Sequence, residues 1–87
     1  MVSKATLIKN PSGLHLRPAG ILGKEALLYK AKISFRVRNV TANAKSVLSV
    51  LGACVKCGEE VEFICDGPDE EQALEAMIRL VDNRLGE

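Results

Sequence analysis

The chain has no tryptophan, one tyrosine, two phenylalanines and one histidine among its 87 residues. So few aromatic faces exclude a surface that reads nucleic acid by stacking on bases. A single imidazole excludes a metal centre built on several histidines, and it assigns any imidazole chemistry to His15. Charge of one sign is lacking as well: twelve Lys and Arg against eleven Asp and Glu leave +1. A whole-protein nucleic-acid binder would be clearly basic. There is no run of 18 apolar residues, so no membrane-spanning helix is expected. The opening MVSKATLIKN lacks the basic and then apolar regions of a secretory signal. Cysteine is sparse and odd in number, at Cys54, Cys57 and Cys65. A secreted disulfide scaffold would use an even set of four or more. The expectation is a cytoplasmic chain with reduced thiols, no metal and no cofactor.

What is present is ordinary for a globular protein: 47% hydrophobic and 26% charged residues. The length predicts one domain, residues 1–87, that buries roughly two-thirds of its unfolded surface. Cys54-Val-Lys-Cys57 is a CxxC, which can be a redox pair or half of a zinc site. A structural zinc needs four ligands, and only Cys65 and His15 are left to join. A soft-metal chaperone on a ferredoxin-like fold would carry its CxxC in the first strand–helix loop, not in the second half. The ligand count favours two small, half-buried side chains near a turn at Gly58.

Residues Val2 to Lys9 predict a strand, ended by the turn signal Asn10-Pro11-Ser12-Gly13. Pro18 suits a first helical turn, and Ala19, Leu22, Ala26 and Tyr29 recur at helical spacing. A helix over 16–29 is predicted, with Lys24, Glu25 and Lys30 facing out. Ile33, Phe35 and Val37 alternate with polar residues, a half-buried strand over 32–38. A short strand over 40–43 follows. Ser46 reads as the N-cap of a short apolar helix interrupted at Gly52. Val61, Phe63 and Cys65 alternate as a fourth strand. Asp69 with Gln72 forms a variant capping box for a last helix whose apolar face is Leu74, Met77, Ile78, Val81 and Leu85. The order is β-α-β-β-α-β-α. Strands with one apolar face need a cover, which three amphipathic helices supply. The predicted class is α+β: an open-faced β-sandwich with a four-stranded, mostly antiparallel sheet and one wet face.

His15 falls where a loop becomes the start of the first helix. A helix N-terminus carries unpaired N–H groups and about half a positive charge. Arg17 adds a cation with a fork of donors suited to phosphate oxygens. Ser12 offers a hydroxyl, and Gly13 permits a tight turn. A nucleophilic imidazole in an anion cradle is what a phosphohistidine requires. The same residues also suit a plain cap or a surface position.

Gly13-Leu14-His15-Leu16-Arg17-Pro18-Ala19 resembles the active-site signature of the HPr family, the histidine phosphocarriers of the bacterial sugar phosphotransferase system. The usual form is G-[LIV]-H-x-R-P-[AS]. Asn43-Ala44-Lys45-Ser46-Val47-Leu48 resembles the family's second signature, around a regulatory serine. The resemblance spans essentially the whole chain. It implies an open-faced sandwich with three helices on one side. It implies that His15 takes a phosphoryl group on Nδ1 from phospho-enzyme I and passes it to IIA domains of sugar permeases. The chain is then a phosphoryl carrier and not an independent enzyme. Arg17 matches the arginine that helps hold the phosphoryl group, with Ser12, Leu16 and Pro18 in support.

Ser46 matches the serine modified in many members by an HPr kinase/phosphorylase, which brings in a catabolite-control transcription regulator as a partner. Its N-cap role alone is the competing reading. The short helix and the start of the first helix match the family's docking surface: Gly20, Lys24, Lys45, Val47, Leu48 and Leu51. Leu48 is the strongest exposed candidate, Val50 and Leu51 also suit the core, and the two lysines also suit solvated surface. Leu16 is bulkier than the alanine most common there, and the cysteines are outside the family pattern. A regulatory HPr-like module, in carbon or nitrogen control, is the alternative. A monomer is expected.

Overall fold

Alternation along Lys32–Val37 puts Ile33, Phe35 and Val37 on one side of a strand and Lys32, Ser34 and Arg36 on the other. In the computed structural model, which describes residues 1–87, that apolar side is buried and forms the middle of the core. The elements are β1 (Val2–Leu7), α1 (Leu16–Ala26), β2 (Lys32–Val37), β3 (Val40–Asn43), α2 (Val47–Gly52), β4 (Glu60–Asp66) and α3 (Glu70–Asp82). A closing 3-10 turn covers Arg84–Gly86. This is the predicted order.

The strands pair in the order β1-β4-β2-β3, and every pairing is antiparallel. Phe35 and Phe63 face each other across β2 and β4 and meet edge to face, with ring centroids 5.8 Å apart. The helices cover this side through Ala19, Leu22 and Ala26 of α1, Val50 of α2, and Ala73, Ala76, Met77 and Val81 of α3. Each large side chain buried here contributes roughly 1.5–3 kcal/mol. The opposite face is open and carries the Arg36–Glu62 ion pair. The open-faced sandwich is therefore the fold.

Several local expectations need correction. α1 stops at Ala26, capped by Leu27, and does not reach Tyr29. Backbone bonds from Leu28 to Glu25 and from Tyr29 to Ala26 tighten the exit into a turn. The Asp69–Gln72 capping box does not form, because Asp69 makes no side-chain cap. Its carboxylate instead accepts from the backbone N–H groups of Lys30 and Ala31, both at 2.8 Å. Those two bonds hold it below its ordinary pKa. Glu70 reaches back to accept from the Gly67 N–H at 3.2 Å, outside the N-cap that Gln72 was expected to bond. The face of α3 is also rotated from the prediction. Small Ala73 and Ala76 are buried, while Leu74 and Ile78 are half-buried. Ser46 is the N-cap expected: its Oγ accepts from the Ser49 N–H at 3.2 Å.

Candidate functional site

The loop from Asn10 to Leu14 is tied down from both sides. The Gly13 N–H donates to the Asn10 carbonyl at 3.1 Å, and Asn10 Nδ2 donates back to the Gly13 carbonyl at 2.6 Å. Asn10 is 1% exposed, and this bond satisfies its buried NH2 group, while its Oδ1 is buried without a partner. The Leu14 N–H donates to the Val55 carbonyl at 3.0 Å, and the Leu14 side chain enters the core. Gly13 has φ +64°, and a Cβ there would lie 2.4 Å from the Val55 oxygen. The loop therefore lies directly against the 55–57 backbone, which needs a glycine at this point.

Held this way, His15 occupies the N-cap position of α1 with extended backbone (φ −72°, ψ −175°). Its carbonyl accepts the first helical bond, from Ala19 N at 2.8 Å. Its side chain makes no cap hydrogen bond and is exposed. The cap reading of the histidine is thus removed, and the imidazole is left outward at the positive end of the helix. Arg17 is exposed and Pro18 is buried, both in the first turn of α1. Leu16 is 68% exposed beside them.

His15 borders a shallow cleft of about 220 Å³ lined also by Leu14, Leu51, Cys54, Val55 and Lys56. Sequence reasoning missed Cys54 and Lys56 as neighbours of His15, since nothing local links them. A larger groove of about 470 Å³ lies between β1 and α3, lined by Val2, Lys4, Leu74 and Ile78 among others, and does not include His15.

The docking candidates fall into three groups. Leu48 is 82% exposed, and Lys24 is exposed. Val47 and Leu51 are half-buried and pack on the core with one side, and Gly20 has open space above it. Lys45 departs from expectation: its Nζ donates to the Tyr29 carbonyl at 2.7 Å, so it is a half-buried tether and not a solvated charge. Ser12 also departs. Its hydroxyl is engaged by Glu87, at 2.8 and 2.7 Å to the two carboxylate oxygens.

The cysteines do not act as a set. Cys54 and Cys57 are exposed, where half-burial was expected. Their Sγ atoms turn to different carbonyls, Leu51 for Cys54 and Lys9 for Cys57. Cys65 lies in the core, and burial first, then Glu70 and Asp69, pushes its thiol up to about 11. No group of three or more His, Cys, Asp or Glu side chains is placed to hold a metal. No helix is long and apolar enough to cross a membrane.

The family profile described as PTS HPr component phosphorylation site matches residues 2–83. The phosphocarrier protein HPr of Treponema pallidum is 37% identical over 87 residues, covering 100% of this chain and 99% of that protein. The HPr-like protein Crh of Halalkalibacterium halodurans is 30% identical over 82 residues, covering 94% and 98%. The crystal structure of HPr-C-His from Thermoanaerobacter tengcongensis superposes with a TM-score of 0.96 at 33% identity, covering 100% and 98%. An outward histidine on a phosphate-friendly helix start, on this fold and with these relatives, places the chain in the HPr family of phosphocarrier proteins of the phosphotransferase system.

Proposed function

We propose that the chain is a phosphoryl carrier, one domain over residues 1–87, that accepts a phosphoryl group on His15 from phospho-enzyme I and delivers it to IIA domains of sugar permeases. The observation that carries this reading is the exposed His15 side chain at the N-cap of α1, free of any cap bond. The Nδ1 lone pair attacks phosphorus. The bond from phosphorus to the donor breaks with its electron pair returning to the donor, and the PO3 unit ends on His15. Delivery reverses these steps toward the next acceptor. Arg17 and the first free N–H groups of α1 meet the negative charge. An exposed site leaves the phosphohistidine accessible to several larger proteins in turn. The chain supplies no turnover of its own, needs no cofactor, and acts as a monomer.

Leu16, Gly20, Lys24, Val47, Leu48 and Leu51 form the docking surface, with exposed Leu48 and Leu16 as its apolar points. Apolar side chains left this exposed next to a reactive group favour a transient partner over a structural role.

The test is incubation with enzyme I and phosphoenolpyruvate. One acid-labile phosphoryl group should appear on His15 and be absent from His15→Ala. Failure of wild-type labelling with a matched enzyme I, or undiminished labelling of His15→Ala, refutes the proposal.

A second reading is a regulatory module controlled at Ser46. The similarity to an HPr-like protein Crh favours keeping it. A phosphate there would add roughly −1.5 to −2 charge at a helix N-terminus, locally tolerated, so it would act on docking and not on folding. An HPr kinase/phosphorylase and a catabolite-control transcription regulator are its partners. Labelling from ATP by that kinase, lost in Ser46→Ala, supports it.

A further inference from the structure

The cleft beside His15 has one charged wall. Of the residues that line it with the histidine, Leu14, Leu51 and Val55 are apolar, Cys54 is a thiol, and Lys56 alone carries a fixed charge. Lys56 is exposed, and its ammonium belongs to none of the chain's ion pairs. The carboxylate three residues on, Glu59, is engaged elsewhere: it pairs with Arg38 and accepts the Lys56 backbone N–H, at 2.9 Å. Arg38 first and that N–H second hold Glu59 below its ordinary pKa, and the Lys56 charge adds the least. Arg38 also donates to the Ala53 carbonyl, so the α2–β4 connection is held from both ends. Its middle is pressed against the histidine loop. The Val55 carbonyl takes the Leu14 N–H at 3.0 Å, and a Cβ on Gly13 would lie 2.9 Å from the Lys56 Cα. Backbone contact therefore fixes the root of the Lys56 side chain beside the loop that carries His15.

We propose that Lys56 is a second phosphoryl-binding cation, which meets the phosphate on His15 from the α2–β4 connection while Arg17 meets it from α1. This rests on the phosphocarrier reading above. A phosphoryl group brings roughly −1.5 to −2 charge near neutral pH, more than one cation offsets. Transfer moves the PO3 unit from the donor to the Nδ1 lone pair, and the donor keeps the electron pair of the bond that breaks. Lys56 keeps its proton throughout. Its ammonium is a compact charge on a flexible four-carbon stem with three donors, so it can follow the phosphate oxygens across the cleft. The apolar walls Leu14, Leu51 and Val55 leave no competing carboxylate between the two and concentrate its field on that side. The charge lowers the energy of the phosphorylated form relative to the free one, and so favours loading of the carrier.

The experiment equilibrates the full chain with enzyme I at a fixed ratio of phosphoenolpyruvate to pyruvate and reads the phosphorylated fraction by intact mass. Enzyme I is the catalyst here, so a lysine that only helped it dock would change the rate of approach and leave the end point alone. Lys56→Gln should lower the equilibrium constant for phosphorylation about twofold to fivefold, the range of a solvent-exposed charge interaction. Lys56→Arg should keep it, since the charge remains. The difference between wild type and Lys56→Gln should shrink when salt is raised from about 0.05 to about 0.5 M, because an exposed charge is screened. The urea midpoint of Lys56→Gln should match wild type, because the side chain is exposed. An equilibrium unchanged or raised in Lys56→Gln overturns the proposal, as does a shift that salt leaves intact. So does an equal loss in Lys56→Arg, or a loss that tracks a lowered urea midpoint. Wild-type chain that takes no label overturns the carrier reading and this inference together. Labelled wild type with an unmoved equilibrium in Lys56→Gln overturns this inference alone.

Discussion

Replacing Gly13 by alanine should separate the loop's geometry from the helix that follows it. At φ +64° an alanine adopts the left-handed region at a cost of roughly 1–2 kcal/mol. Its Cβ would lie 2.4 Å from the Val55 oxygen and 2.9 Å from the Lys56 Cα, both backbone atoms that no rotamer change can move. Forcing such a contact apart costs typically 1–3 kcal/mol. The shift also opens the Leu14–Val55 hydrogen bond, whose net contribution is about 1 kcal/mol. The expected loss is about 3–6 kcal/mol, a large share of the roughly 5–15 kcal/mol that holds a domain folded.

Gly20→Ala is the internal control. It sits inside α1 with nothing within 4 Å of the added methyl. It should stabilise the chain by about 0.5–1 kcal/mol through backbone entropy. Urea unfolding followed by far-ultraviolet circular dichroism reads both. With a slope of roughly 1 kcal/mol per molar for a small protein, the Gly13→Ala midpoint should fall by about 3 M or more. The Gly20→Ala midpoint should rise. At low urea, where Gly13→Ala is still mostly folded, its His15 labelling should fall by more than the unfolded fraction explains. A Gly13→Ala stability within about 0.5 kcal/mol of wild type would refute the reasoning, because local strain of that kind has no other outlet. So would a larger loss at Gly20 than at Gly13.

Two further outcomes follow from other parts of the molecule. Asp69 has its pKa lowered by the Lys30 and Ala31 N–H groups, so its contribution is present above the ordinary carboxylate pKa and is lost as pH falls through the depressed value. The stability gap between wild type and Asp69→Asn should therefore be full at neutral pH and narrow in acid. Urea titrations at several pH values check this, and a gap that stays constant or widens toward low pH contradicts it. Leu48→Ala should leave the urea midpoint unchanged, because the side chain is 82% exposed. It should raise the KM for phosphorylation by enzyme I about 5–30-fold if Leu48 is an anchor of the docking surface. Steady-state labelling rates measure it, and an unchanged KM removes Leu48 from that surface.

Period and punctuation alone determined most of the elements. The alternation of Ile33, Phe35 and Val37 and of Val61, Phe63 and Cys65 reports which face of a strand is buried, and the structure buries those faces. Ser46 before an apolar run is a local signal for an N-cap, and its bond spans only three residues. The placement of His15 at a helix start depends on the adjacent loop and on Pro18, so it too was legible from neighbours in the chain.

The tertiary structure alone decided what lies far apart in sequence. Asp69 could cap its own helix or reach the Lys30 and Ala31 amides. Two N–H groups at the end of the α1–β2 connection offered it two bonds, and it turned to them. Lys45 is drawn from solvent to the Tyr29 carbonyl, because α1 ends three residues early and leaves that oxygen within reach. Cys54 and Lys56 border His15 only because the Gly13–Leu14 backbone lies against Val55. Ser12 meets Glu87 across 75 residues. A local pattern records the direction in which a side chain leaves its own element. It carries no record of which distant donor or acceptor is packed there.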